Sequence, residues 1–262
     1  MKTAVRYGVL VFVLYVVFLL VLLPADRVYA LLKERISLPV SLYQVNGSVW
    51  DGSAAVAMVG TQRFESVDWR FRPLALLLGH LEVELDVNRT GGGLSVVAGR
   101  SVTGDYFLRN LDADLPAAEL ESLYTPVKLG LSGDVIADIG RIVVKESHLA
   151  SIEGKIIWKD AGFTMSPGNP VGSFEIEFET TDEGVKGLVK DTGGPLQVDG
   201  ILLLKPDGSY QFTGALNPRD AARNDIRQAL RIFGNPDATG KVDVSQSGNI
   251  QLEKYLPFIK QS

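Results

Sequence analysis

Leu81-Glu82-Val83-Glu84-Leu85-Asp86-Val87-Asn88 alternates apolar and polar residues without a break. A period of two puts every second side chain on one face of an extended strand, leaving one face buried and the other solvated. The pattern returns in Phe174-Glu175-Ile176-Glu177-Phe178-Glu179 and in Ser66-Val67-Asp68-Trp69-Arg70-Phe71. Such strands belong to antiparallel sheets, because parallel strands are covered on both faces and lack the polar alternation. Turn-forming residues stand between the alternating runs: Gly91-Gly92-Gly93, Asp182-Glu183-Gly184, Pro206-Asp207-Gly208-Ser209 and Ser247-Gly248-Asn249. Each supplies a residue tolerant of positive φ or a proline with φ preset. The expected fold class is therefore mainly β, a large antiparallel, curved sheet laid out mostly as a meander. Two later segments read as helix. Pro116 to Tyr124 is short, while Pro218 to Phe233 is stronger, with Asn217 as N-cap, Pro218 at the first helical position, Ile226, Leu230 and Phe233 at helical spacing, and Gly234 as terminator.

Upstream of the sheet, Tyr7 to Leu23 carries no charge and is apolar on every helical face. At 1.5 Å per residue it covers about 26 Å, near the lower limit for crossing a bilayer. A cleavable signal peptide is the competing reading, since Val28-Tyr29-Ala30 is a tolerable cleavage pattern. Against it, the run is longer than an ordinary signal core, and Pro24, Asp26 and Arg27 intervene before that site. Lys2 and Arg6 precede the run while Arg27, Lys33 and Arg35 follow it, so the basic residues alone do not orient it. The export-like β composition downstream favours a cytoplasmic N-terminus. Ala25 to Arg35 extends as a juxtamembrane helix that Pro39 stops.

The chain has no cysteine, which removes disulfides, iron–sulfur clusters and thiol chemistry. Its formal charge is −5; leaving out Lys2 and Arg6 gives 24 basic against 31 acidic residues, or −7. An acidic domain without a basic stripe excludes nucleic acid as the expected partner. His80 and His148 are the only histidines. They lie far apart in the chain without cysteines to join them, so no metal or other cofactor site is expected. Asp112-Ala113-Asp114 lacks the further oxygen ligands of a calcium loop and reads as a solvated strand face. Glu82, Glu84 and Asp86, like Glu175, Glu177 and Glu179, form rows expected to be uniformly wet, whereas acid–base catalysis needs carboxylates in unlike surroundings. There is no nucleophile elbow, phosphate loop or metalloprotease motif. No catalytic residue is assigned.

An internal echo connects the two halves. Gly47-Ser48-Val49, then Trp69, then the strand Leu81 to Val87 is followed by Ser132-Gly133-Asp134, then Trp158, then Ser173 to Glu179. Thr103-Gly104-Asp105-Tyr106-Phe107 likewise has a counterpart in Asp207-Gly208-Ser209-Tyr210-Gln211-Phe212. The expected organisation is a cytoplasmic tail (1–6), a transmembrane helix (7–23), a juxtamembrane helix and linker (24–38), a first β-module (39–125) and a second (126–262) with a C-terminal helix and hairpin. Trp69 and Trp158 read as packing landmarks. Trp50, flanked by Asp51 and Gly52 and without an aromatic counterpart, stands between core packing and a candidate protein contact.

Several short blocks recur in a specific order: Leu23-Pro24-Ala25 after the apolar run, Gly47-Ser48-Val49-Trp50-Asp51-Gly52, Trp69 with Pro73 and Leu77-Leu78-Gly79, Gly193-Gly194-Pro195-Leu196, Pro206-Asp207-Gly208, and Phe233-Gly234-Asn235-Pro236-Asp237-Ala238-Thr239-Gly240 before Ser247-Gly248. Over nearly its whole length the chain resembles the type II secretion system protein N (general secretion pathway protein N) family. The resemblance implies a non-enzymatic inner-membrane protein with a periplasmic β-domain, assisting export of folded proteins across the outer membrane. Its implied partners are the inner membrane and other secretion-system subunits, platform proteins or the secretin, and it transfers no active site. A rival reading is an anchored β-groove protein that binds or transfers lipid acyl chains; a C-terminal helix filling the apolar face would count against it.

Overall fold

The computed structural model describes residues 6–249 apart from 8–9, 13, 16–17, 20–21, 36–39, 60–61, 125–129, 146–147, 164–169, 220–223 and 232. Its strands are β1 (Val40–Gly47), β2 (Asp51–Val59), β3 (Gln62–Phe64), β4 (Ser66–Phe71), β5 (His80–Arg89), β6 (Gly92–Ser101), β7 (Tyr106–Pro116), β8 (Ser132–Lys145), β9 (His148–Gly162), β10 (Gly172–Thr181), β11 (Gly184–Gly193), β12 (Leu196–Leu204), β13 (Ser209–Pro218) and β14 (Val242–Asn249). All fourteen belong to one curved antiparallel sheet, ordered β1-β2-β4 and then consecutively to β14, with short β3 pairing β2 beside the main path. Three helices accompany it: α1 (Ala25–Arg35), α2 (Ala117–Tyr124) and α3 (Asn224–Leu230).

The alternating runs lie where the period of two puts them. Val83, Leu85 and Val87 stand opposite Phe71, Trp69 and Val67 in register, building one apolar face across β4 and β5. Aromatic rings lying over glycines let that face close up. Trp69 covers Gly52 on β2, where a Cβ would stand 2.5 Å from the indole, and Phe212 covers Gly200 and Gly214, where a Cβ on Gly200 would be 2.8 Å from the ring. Glycine in a strand forgoes packing of its own, and here that space seats a neighbouring aromatic.

Two apolar clusters hold the second half together. Ile226 and Leu230 of α3 pack on Leu196, Val198, Leu216, Val242 and Val244, with the Trp158 and Phe174 rings at the margin. Ile139, Ile152 and Val185 form the other, joined by Leu111, Ile156, Phe178 and Leu204. Glu121 of α2 is buried and accepts hydrogen bonds from the amides of Gly130 and Leu131, at 2.9 and 3.2 Å, which ties α2 to the start of β8.

Several expectations are corrected. The helix expected from Pro218 begins later, as α3 at Asn224, because Asn217 and Pro218 finish β13 opposite Gln197 and Leu196. β14 pairs β13 only as far as Leu216, so no strand on that side needs the missing proline N–H. Pro116 likewise ends β7, and α2 starts at Ala117. Ser247-Gly248-Asn249 is not a turn but the end of β14, opposite Gln211, Tyr210 and Ser209. The Tyr210 ring occupies the space above Gly248, which explains a glycine inside a strand. The other three turn segments join neighbouring strands as expected. Among the described residues no helix is long and apolar enough to cross a membrane. The Tyr7–Leu23 run falls partly outside those residues; its described positions Leu10, Phe12, Leu14 and Phe18 have helical backbone and exposed side chains. The module boundary at 125/126 also lies outside them, while β7 and β8 on either side pair from Tyr106 to Pro116.

Gly200→Val should destabilise the folded chain by about 1–3 kcal/mol, the usual effect of overpacking, measured by thermal unfolding in detergent. Glu121→Ala should cost about 1–3 kcal/mol by leaving two amides without their acceptor, measured in the same way.

Candidate functional site

The charged face of the sheet is a set of cross-strand ion pairs rather than a catalytic constellation. Arg72 meets Glu84 at 3.1 Å, Lys190 meets Glu175 at 3.0 Å, and Lys186 meets Glu179 at 3.2 Å. The Glu175 carboxylate, accepting a hydrogen bond from Lys190 and facing it with opposite charge, raises the Lys190 pKa above its ordinary value. The rows are not uniformly wet, however. Glu82 is only 4% exposed, bonded to Arg109 on β7 and 3.7 Å from the Nδ1 of His80. Arg109, from a strand two places along the sheet, also lies over the Phe107 ring. His80 opens β5 and packs edge-on against Phe107; His148 opens β9 at an exposed position. Asp112 and Asp114 lie on the exposed side of β7. Among the described residues no three His, Asp or Glu side chains are placed to hold a metal ion.

The glycine–tryptophan pairs recur as matching locks. Trp69 donates its indole N–H to the Val49 carbonyl at 3.1 Å, and Trp158 donates to Ser132 at 2.9 Å. Gly47 and Gly133, with φ of 81° and 92°, make the adjoining bends where a side chain would strike backbone. From the tryptophan strand to the following helix the first half passes through four strands, β4 to β7, and the second through five, β9 to β13. Trp50 sits in the β1–β2 turn with its ring 5.1 Å from Phe71 in a tilted stack. Its carbonyl accepts from the Phe71 amide at 2.6 Å, and its side chain is 36% exposed. Asp237, in the loop before β14, accepts from the amides of Thr239 and Lys241 and from the Thr239 hydroxyl. The Thr239 hydroxyl and amide hold its carboxyl below the ordinary carboxylate range.

An open sheet has two edges, and this one treats them differently. At the β1 edge the Tyr29 hydroxyl of α1 accepts the Leu42 amide at 2.8 Å, Pro24 forms a bridge with Ser48, and the Val49 amide donates to the Leu23 carbonyl at 3.0 Å. The β14 edge pairs with no described strand, and Ser245 to Asn249 are exposed along it. Sequence reading located the tryptophans and the carboxylate rows but missed the lysines and arginines paired with them, the burial of Glu82 and this asymmetry of edges, because alternation assigns a face and not a neighbour.

These features define a class: an open, curved antiparallel β-sheet protein with one covered edge, one edge unpaired among the described residues and a charged face held by ion pairs. Residues 39–245, most of the sheet, match the family model for type II secretion system (T2SS), protein N, and the chain belongs to that family. It is 27% identical over 259 residues to the type II secretion system protein N of Aeromonas hydrophila, covering 95% of this chain and 100% of the relative. It is 25% identical over 263 residues to the protein of the same name from Vibrio cholerae serotype O1, with the same coverage. No solved structure matches.

Trp69→Phe removes both the indole N–H bond and the outer ring that stands over Gly52, so it should destabilise by about 1–3 kcal/mol in chemical unfolding. Because the Asp237 carboxyl is depressed, its support of the loop is present above the ordinary carboxylate range and lost as pH falls through the folded-state value. Amide exchange at Thr239 and Lys241, corrected for the intrinsic rate, should accelerate across that window.

Proposed function

We propose that this secretion-system component is a non-enzymatic, single-pass inner-membrane protein, held by Tyr7–Leu23, whose β-domain lies in the periplasm and works by contact with other subunits. The observation that carries the contact mode is the β14 edge, which pairs with no strand among the described residues. A strand with free backbone donors and acceptors accepts an extended segment of a partner by β-augmentation. Family membership supports other secretion-system subunits as the partner class, and platform proteins or the secretin are the partners proposed here. The paired indole locks support reading 39–125 and 126–262 as two copies of one β-module; on that reading Trp158→Phe should weaken the fold to the same degree as Trp69→Phe, and a several-fold different effect would count against it.

A second reading, a groove for acyl chains, draws on one observation. α3 covers the apolar face beside β12 to β14, whereas Leu85, Val87, Ile176 and Phe178 remain half-buried on it. Lipid retained through purification in mild detergent and seen by mass spectrometry would favour it.

A photo-reactive residue at Ser245 or Ser247 should crosslink to a secretion subunit in cells, and deletion of that subunit should remove the product. Crosslinks arising only from the β1 edge would overturn the assignment of β14. Resistance to alkaline extraction, with an intact N-terminus by mass spectrometry, is the outcome expected of the anchor.

A further inference from the structure

The connection between β4 and β5 is a single 3-10 turn, Pro73–Leu78, and it presents its side chains outward. Leu74, Leu76, Leu77 and Leu78 are exposed, Leu77 at 84%, while Ala75 alone turns inward. Leu81 and Val102, 86% exposed, extend the patch. Exposed aliphatics massed this way are unusual on a monomer surface and mark an interaction site.

The turn is a formed structure, not a frayed loop. Ala75 donates to the Arg72 carbonyl at 3.1 Å, and Gly79 donates to Leu76 at 3.0 Å from a left-handed conformation with φ of 75°. The Arg72 amide in turn donates to the Glu82 carbonyl at 3.0 Å, and the Val102 amide donates to the Gly79 carbonyl at 2.9 Å, pinning the β6–β7 turn against it. The leucines are therefore held outward by the backbone.

Their place in the sheet says what they meet. Asp51 pairs with Arg70, so the end of β4 lies at the same rim as the β1–β2 turn. Val49 in that turn is hydrogen-bonded to Leu23, the last residue of the uncharged N-terminal run. Neighbouring strands are about 4.8 Å apart, which sets the leucine turn about 10–15 Å to the side of Leu23. Pro73 lies three residues beyond Arg70, so the turn also projects past the paired strands at that rim, as Leu23 does. Trp50 occupies the same rim between them, and indole rings favour the boundary between water and hydrocarbon.

We infer that the Pro73–Leu78 turn, with Leu81, Val102 and Trp50, dips into the lipid surface beside the N-terminal run, so that the sheet stands on the membrane at two points. Trp50 is on this account an interfacial residue and not a contact for a partner protein. The inference rests on the anchor reading of Tyr7–Leu23, and the two are separable by experiment.

The chain has no cysteine, so single substitutions report cleanly. Full-length protein carrying Phe12→Cys, Leu77→Cys, Val102→Cys or Thr90→Cys is labelled with an environment-sensitive fluorophore. It is then reconstituted into phosphatidylethanolamine–phosphatidylglycerol vesicles with or without nitroxide-bearing lipid. Thr90 marks the opposite rim, and Val102 reports on the patch without altering the turn. Labels at 77 and 102 should be blue-shifted and quenched by shallow nitroxides, the label at 12 by deep ones, and the label at 90 by neither. Quenching at 12 with 77 and 102 behaving like 90 overturns the inference and leaves the anchor standing. No quenching at 12 removes the anchor, and quenching at 77 and 102 then still upholds the lipid contact. A blue shift at 77 and 102 without nitroxide quenching means that protein covers the patch, and overturns the proposal.

Discussion

The hydrogen bond from the Val49 amide to the Leu23 carbonyl joins the uncharged N-terminal run to the sheet. It is short-range and modest in energy, yet it sits where direction is decided. With the bridge between Pro24 and Ser48, it fixes the first strand pair against the start of α1, and every later strand inherits its position from the pair before it. The same contact places α1 along the β1 edge, where the Tyr29 hydroxyl takes up the Leu42 amide and blunts a surface that would otherwise recruit another strand.

Within the sheet, order comes from complementary local pairs. Rings lie over glycines on one face and cations lie against carboxylates on the other, and neither requires a residue far away in sequence. Glu82 with Arg109 departs from this, since the pair reaches across the intervening strand and its carboxylate is buried while the Arg109 side chain stays partly exposed. Its burial makes it a structural pin of the first half, in the way that Ile226 and Leu230 pin the second.

Much of this architecture was legible in the residues. Alternation around Val83–Val87 and Ile176–Phe178 located strands, and their polar partners foretold antiparallel pairing, because half-buried strands keep a period of two. The failures share a cause. Asn217-Pro218 is a good helix start in isolation, and Ser247-Gly248-Asn249 a good turn, but each is overridden by ladder partners, Gln197 and Leu196 in one case and Tyr210 in the other. Alternation puts Glu82 in the correct row but the wrong environment, since nothing local announces that Arg109 will reach it from two strands away. The leucine turn was visible only as part of a family block; its exposure depends on the Gly79–Val102 bond, which no local pattern encodes.

Strand order along the sheet follows chain order with β3 alone set aside, and this has a consequence for how the molecule comes into being. Each new strand finds its docking partner already in place and, except at the β7–β8 and β13–β14 connections that carry α2 and α3, closes only a short loop, which keeps the entropic barrier at most steps low. A chain delivered from its N-terminus can therefore grow as a ribbon, adding one rung at a time to a template fastened at Leu23. At every stage the newest rung is the sticky one, and among the described strands that role rests with β14.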